Sequence, residues 1–220
     1  MAETSEMRID QSAVRWSTPA HERSGRPLLV LMHGYASHED DLFGLAPYLP
    51  SELVIASLRA PIADAGGNAW WSRSMFTAEG TTLDDADAAA GAVIDWLNSL
   101  DWIDWRADAP SVGLLGFSQG GAMVLQLMRT APSRFAYGVQ LSGYVVAGEA
   151  PGDAELARIR PPLFWGRGTA DEVILPRWVQ RTAAWTPEHT TADIHVYDGL
   201  AHGISPEELS DIAAFIRRHL

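Results

Sequence analysis

Val112-Gly-Leu-Leu-Gly-Phe-Ser118-Gln-Gly-Gly121 is the stretch of this chain on which the fold turns. Residues 112–115 are apolar throughout, the pattern of a strand covered on both faces. Gly120–Arg129 is apolar nearly all round, which suits a helix buried inside the molecule. Between them lies Gly116-Phe117-Ser118-Gln119-Gly120. A serine at a strand-to-helix turn of this kind sits on a strained elbow that lifts its hydroxyl above the sheet edge. The positions two before and two after must be small, because the turn brings their α-carbons against neighbouring backbone; Gly116 and Gly120 meet that need. The same turn aims the Gln119 N–H and the helix N-terminus at one point, where a tetrahedral oxyanion would form. Ser118 is therefore the candidate nucleophile, and the flanking strand and helix outweigh a chance Gly-x-Ser-x-Gly with Ser118 as a plain helix cap.

Outward from this stretch, short apolar runs alternate with helix-period segments. The runs are Leu28–Met32, Leu53–Leu58, Val112–Leu115, Phe135–Leu141, Pro162–Trp165 and Ile194–Tyr197. Thr82 with Asp85 is placed to cap a helix whose apolar positions fall at Ala86, Ala90, Val93, Ile94, Leu97 and Leu100. Ser205 and Glu208 form a capping-box pattern, with Pro206 at the first helical position. Alternating strand and helix predicts an α/β fold with a mainly parallel central sheet and helices on both faces. No repeat or linker divides the 220 residues, so one domain is expected over 1–220, with 1–12 as a short flexible lead-in.

Composition narrows the chemistry. At 47% hydrophobic and 20% charged residues the chain has the balance of a globular domain. A formal charge of -12 gives no basic face for phosphates, which argues against a nucleic-acid partner. All 16 positive residues are Arg, and Lys and Cys are both absent. Those two zeros remove thiolate nucleophiles, Schiff bases, disulfides and zinc–thiolate sites. No apolar run reaches membrane-spanning length, and the polar N-terminal residues Glu3, Glu6, Arg8 and Asp10 do not read as a signal peptide. A cytoplasmic location without integral membrane association is expected.

A serine hydroxyl needs a neighbouring base. For a serine on such an elbow the partners follow in the order acid, then histidine, which leaves His189, His195, His202 and His219. His219 falls in the terminal helix, His195 within a strand, and His189 follows Pro187 in a polar connection. His202 lies in Asp198-Gly-Leu-Ala-His202-Gly203, a turn between the last strand and the last helix, and is the candidate base. The acid must hold the imidazole tautomer from the carboxyl end of a strand. Asp171, in Gly166-Arg-Gly-Thr-Ala-Asp171-Glu-Val173, is favoured over its neighbour Glu172; Asp198 reads as a helper or a turn residue.

The first long strand ends in Leu31-Met-His33-Gly-Tyr35, a His-Gly pair that commonly opens the loop supplying a second oxyanion donor, here the Tyr35 backbone N–H. The run His38-Glu39-Asp40-Asp41 reads as solvated or helix-capping acids rather than a metal site. Only about twenty residues join the strand ending at Leu141 to the one starting at Pro162, too few for a large lid domain. The other long connection, Arg59–Thr82, carries Trp70, Trp71, Met75 and Phe76. These either wall a substrate pocket or patch the loop onto the core.

With these motifs in hand, the chain resembles the phospholipase/carboxylesterase family of small α/β-hydrolases, which includes the acyl-protein thioesterases. The likeness runs from about Leu28 to Leu220 and rests on LMHGYASHEDDL, LRAP at Leu58–Pro61, the Trp70-Trp71 pair, GFSQGGAM at Gly116–Met123, LSGY at Leu141–Tyr144, GTADEVI and AHG. The resemblance implies Ser118, Asp171 and His202 as a catalytic triad, with Tyr35 and Gln119 as oxyanion donors. It implies hydrolysis of a small-molecule carboxylic ester of short to medium acyl chain without cofactor or metal, with thioesterase or lysophospholipase activity as the nearest alternative. A non-catalytic protein on the same fold is a weaker reading, since no triad member is missing. A homodimer is left open. One departure is Ala36, where relatives often carry Gly, so the loop conformation is expected to differ.

Overall fold

The computed structural model describes residues 7–72, 81–103 and 111–220. Nine strands and six α-helices are seen among them: β1 (Arg15–Trp16), β2 (Leu28–Met32), α1 (Asp40–Phe43), β3 (Val54–Leu58), β4 (Ile62–Asp64), β5 (Gly67–Ala69), α2 (Leu83–Asn98), β6 (Val112–Phe117), α3 (Gln119–Thr130), β7 (Tyr137–Leu141), α4 (Asp153–Ile159), β8 (Pro162–Gly168), α5 (Pro176–His189), β9 (Thr191–Tyr197) and α6 (Pro206–Arg218). Seven strands form one sheet in the order β1-β3-β2-β6-β7-β8-β9. All neighbours pair in parallel except β1, which runs antiparallel to β3.

Period-two alternation divides the core between the two faces of this sheet. Leu28, Val30 and Met32 of β2 pack with Val93 and Trp96 of α2, Met123 and Val124 of α3, and Trp178 of α5. Leu29 and Leu31 point the other way, toward Leu42 of α1 and Ile212, Phe215 and Ile216 of α6. Every residue of β2, β3 and β7 is buried, which is why these runs read as apolar but for Ser57 and Gln140. The predicted caps are present: Thr82 Oγ1 accepts the Asp85 N–H (3.2 Å) and Ser205 Oγ the Glu208 N–H (3.1 Å).

Several details depart from expectation. Only half of the capping box at Ser205 forms, because the Glu208 side chain turns inward against Gly166 of β8 and is 1% exposed. Residues 7–12 are not a loose lead-in. Ile9 is buried, Met7 packs against the core, and Asp10 caps a short 3-10 turn by accepting the Ser12 N–H at 2.9 Å. His189 ends a helix rather than sitting in a polar connection. Helix α5 hides from periodicity because two of its three buried positions, spaced four apart, are Thr182 and Thr186 beside Trp178. Buried threonine is tolerable there: Thr182 Oγ1 donates to the Trp178 carbonyl (2.8 Å) and accepts the Val145 N–H (2.9 Å).

Candidate active site

Ser118 lies between β6 and α3 with φ 57° and ψ -115°. That backbone is strained for a residue with a side chain, at a cost of order 1–3 kcal/mol, and persists only where the surroundings over-determine it. They do so here. The Ser118 N–H donates to the Leu141 carbonyl (2.8 Å) and its carbonyl accepts the Ala122 N–H (3.0 Å). A Cβ on Gly116 would overlap the Gly120 carbonyl, and one on Gly120 the Met32 carbonyl. The two glycines are thus a condition of the turn, as their spacing suggested.

The loop after β9 brings His202 back over the sheet edge, where its ring packs on Phe117 with centroids 4.7 Å apart. Phe117 is the residue before Ser118. His202 Nδ1 lies 2.8 Å from Asp171 Oδ2. An ionised carboxylate only accepts, so Nδ1 carries the proton and Nε2 is the basic nitrogen. Asp171 is itself fixed, its Oδ1 accepting the N–H groups of Val173 (2.9 Å) and Ile174 (3.1 Å). Burial alone would raise its pKa; the hydrogen bonds from His202, Ile174 and Val173 outweigh that and leave the carboxyl below its ordinary value.

The rival groups are engaged elsewhere. Glu172 is exposed, and Asp198 Oδ1 accepts the Thr169 hydroxyl (3.1 Å) as a turn residue. His195 pairs with Asp193 and Asp211, His189 stacks on Trp185, and His219 packs on Phe215.

The loop after β2 approaches the elbow closely, since a Cβ on Gly34 would sit 3.4 Å from Ser118 Cβ. It is pegged by His33, which precedes Ser118 in the chain and takes a structural place. His33 is fully buried; its Nε2 accepts the Ala60 N–H (3.1 Å), so Nδ1 carries the proton given to the Gly34 carbonyl (2.7 Å). Desolvation pushes the His33 pKa down, keeping the ring neutral. Trp70 Nε1 donates to the His33 carbonyl (2.9 Å). The hairpin β4–β5 braces the loop from outside: Tyr35 OH donates to Asp64 (2.9 Å) and the Asn68 N–H to the Ser37 carbonyl (2.8 Å). Ala36 adopts φ +57°, so the loop takes the left-handed backbone that favours glycine, with alanine in it.

Two readings of this region need correction. Trp70 and Trp71 are 0% and 1% exposed and belong to the core, not to the wall of an open pocket. Their backbone clamps the Gln119 side chain, which accepts the Trp70 N–H and donates to the Trp71 carbonyl, both at 2.9 Å. Met75 and Phe76 lie outside the described residues. Glu39 is not solvated: it is 2% exposed and forms a forked ion pair with Arg59, which holds its carboxyl at about 2. Asp40 pairs with Arg15, and Asp41 accepts the Ser37 hydroxyl.

A mainly parallel sheet with helices on both faces and a serine elbow after a central strand, with no large lid among the described residues, define the α/β-hydrolase fold. The solved carboxylesterase of Bacillus cereus has the same fold: it superposes with a TM-score of 0.78 over 94% of each chain at 15% identity. Within that fold, the chain belongs to the phospholipase/carboxylesterase family, whose profile it matches over residues 17–220. Among curated relatives, Arabidopsis thaliana Carboxylesterase SOBER1 is 32% identical over 116 residues, covering 50% of this chain and 49% of that protein. Saccharomyces cerevisiae Acyl-protein thioesterase 1 is 32% identical over 109 residues, 48% of each. The chain thus spans about half the length of the curated relatives it matches.

Proposed function

We propose that this chain is a serine hydrolase that cleaves carboxylic esters of short to medium acyl chain through a covalent acyl-enzyme on Ser118. Ser118 Oγ attacks the ester carbonyl as His202 Nε2 takes its proton, and Asp171 stabilises the imidazolium that forms. The backbone N–H groups of Tyr35 and Gln119 hold the oxyanion, helped by the N-terminus of α3. His202 then protonates the departing alcohol. In the second half His202 deprotonates a water that attacks the acyl carbonyl, and the released Ser118 oxygen recovers its proton. His202 passes each proton it takes straight on, the first to the departing alcohol and the second to the Ser118 oxygen, so the scheme balances without a cofactor.

The observation that carries the reading is the strained Ser118 elbow with the His202–Asp171 pair, 2.8 Å apart, laid over the adjoining Phe117 ring. An acyl-thioesterase is the second reading, favoured by the likeness to the yeast acyl-protein thioesterase, and the same three residues would serve it. A fluorophosphonate should label Ser118 covalently, and Ser118→Ala should lower turnover of p-nitrophenyl butyrate by about four orders of magnitude. A label mapped to another residue, or a variant that keeps its rate, refutes the assignment. A chain-length series of p-nitrophenyl esters beside one acyl thioester separates the two readings.

A further inference from the structure

Beside the His202–Asp171 pair lies a cavity of about 280 Å³, walled in part by Ser142, Arg167, Asp171, Ile174, Val179 and Gln180. It starts next to the nucleophile: the Leu141 carbonyl accepts the Ser118 N–H, and Ser142 is the following residue. Two of the residues that line it each carry a buried polar atom with no partner among the described residues, Ser142 Oγ and Arg167 Nε. Ser142 is 2% exposed and takes φ +44°, a backbone conformation that favours glycine. Arg167 has no ion pair among the described residues, although the chain carries 28 acidic groups against 16 arginines. Its register neighbour on β9 is Val196, and the nearby Asp171 carboxylate is already engaged by His202, Val173 and Ile174.

An unmatched guanidinium donor beside an unmatched buried hydroxyl is costly unless an acceptor enters the cavity. Arginine presents its N–H groups in a planar fork that matches a carboxylate. Ile174, Pro176 and Val179 supply an apolar wall along which a few methylenes can lie. We propose that this cavity is a substrate subsite for a carboxylate borne a few methylenes from the ester bond, with Arg167 as its specificity-determining residue. The proposal rests on the hydrolase reading above and names one feature of its substrate.

The test compares a p-nitrophenyl ester of glutarate with the neutral valerate ester, so that the charge sits on the acyl side. A second pair, the butyrate esters of glycolic acid and of ethanol followed in a pH-stat, puts the charge on the alcohol side. Arg167→Gln should lower kcat/KM about 10- to 100-fold for the charged member of one pair, mainly through KM, and leave both neutral esters within about twofold. Arg167→Lys should restore part of the loss. Equal losses on charged and neutral esters, or no loss on either charged ester, overturn the subsite while leaving the hydrolase reading intact if Ser118 is still labelled. Calorimetric titration with free glutarate needs no turnover: binding to the wild type that vanishes in Arg167→Gln supports the subsite, and identical behaviour of the two proteins refutes it even if the hydrolase reading falls.

Discussion

Glu208 should make the stability of this protein fall as pH rises through neutrality. Its carboxylate is 1% exposed, neither oxygen has a partner among the described residues, and Asp211, three positions on along the same helix, adds a like charge. Burial, reinforced by Asp211, lifts its pKa from 4.5 to about 7 against the opposing pull of the nearby Ser205 backbone. A raised carboxyl pKa means the folded chain holds the proton more tightly than the unfolded one. The contribution is therefore present at low pH and lost between the unfolded and folded values. Between about pH 5.5 and about pH 8 the loss from this one group comes to about 2 kcal/mol. Glu208→Gln cannot titrate, so whatever fixed cost its amide carries, the pH dependence should flatten by that amount. Urea unfolding of wild type and variant at the two pH values measures the difference directly, and taking the difference between proteins cancels every other titrating group. Parallel pH profiles for the two proteins would refute the burial argument.

Arg59→Met should strand Glu39, which is almost wholly buried and depends on that partner, at a cost of about 3 kcal/mol near neutral pH. Because the pairing depresses the Glu39 pKa, its stabilisation is present above the unfolded value of 4.5 and fades as pH falls toward about 2. The variant's deficit in denaturant midpoint should therefore shrink on acidification, and a deficit independent of pH would contradict the pairing. Ala36→Gly should raise stability by about 0.5–1 kcal/mol by relieving the left-handed φ of +57°, with kcat on a neutral ester unchanged. A destabilised variant would show that the alanine methyl matters more than the strain.

The parts that sequence made legible are those where one physical demand dominates. Buried parallel strands leave mostly apolar runs, and the six expected strands match β2, β3, β6, β7, β8 and the partly exposed edge strand β9, with β8 and β9 each extending about three residues beyond the run that betrayed them. The elbow was legible because close packing at Gly116 and Gly120 admits no side chain. Helix α5 was not, because threonine at buried positions looks polar until its hydroxyl is seen bonded inside the fold. The two-residue strand β1 and the hairpin β4–β5 are too short to carry a period. Trp70 and Trp71 are ambiguous by composition alone, since an aromatic pair fits a pocket wall and a core equally well. What decides it is the Gln119 amide between their backbones, a long-range contact with no sequence spacing to announce it. Arg167 was passed over for a similar reason: it stands in the motif that supplies Asp171, and only three dimensions show its Nε buried without a hydrogen-bond partner.

The glycine contacts around the elbow also say where this protein can change. Gly120 against the Met32 carbonyl and Gly121 against Gly143 lock three strands and a helix at one point with no room for another atom. Drift in substrate preference must then accumulate elsewhere, at exposed positions such as Glu172 and Val173 after β8. A directed-evolution library confined to such positions should keep most of its members folded, whereas one that includes positions 116, 120, 121 and 143 should lose most of them at the outset.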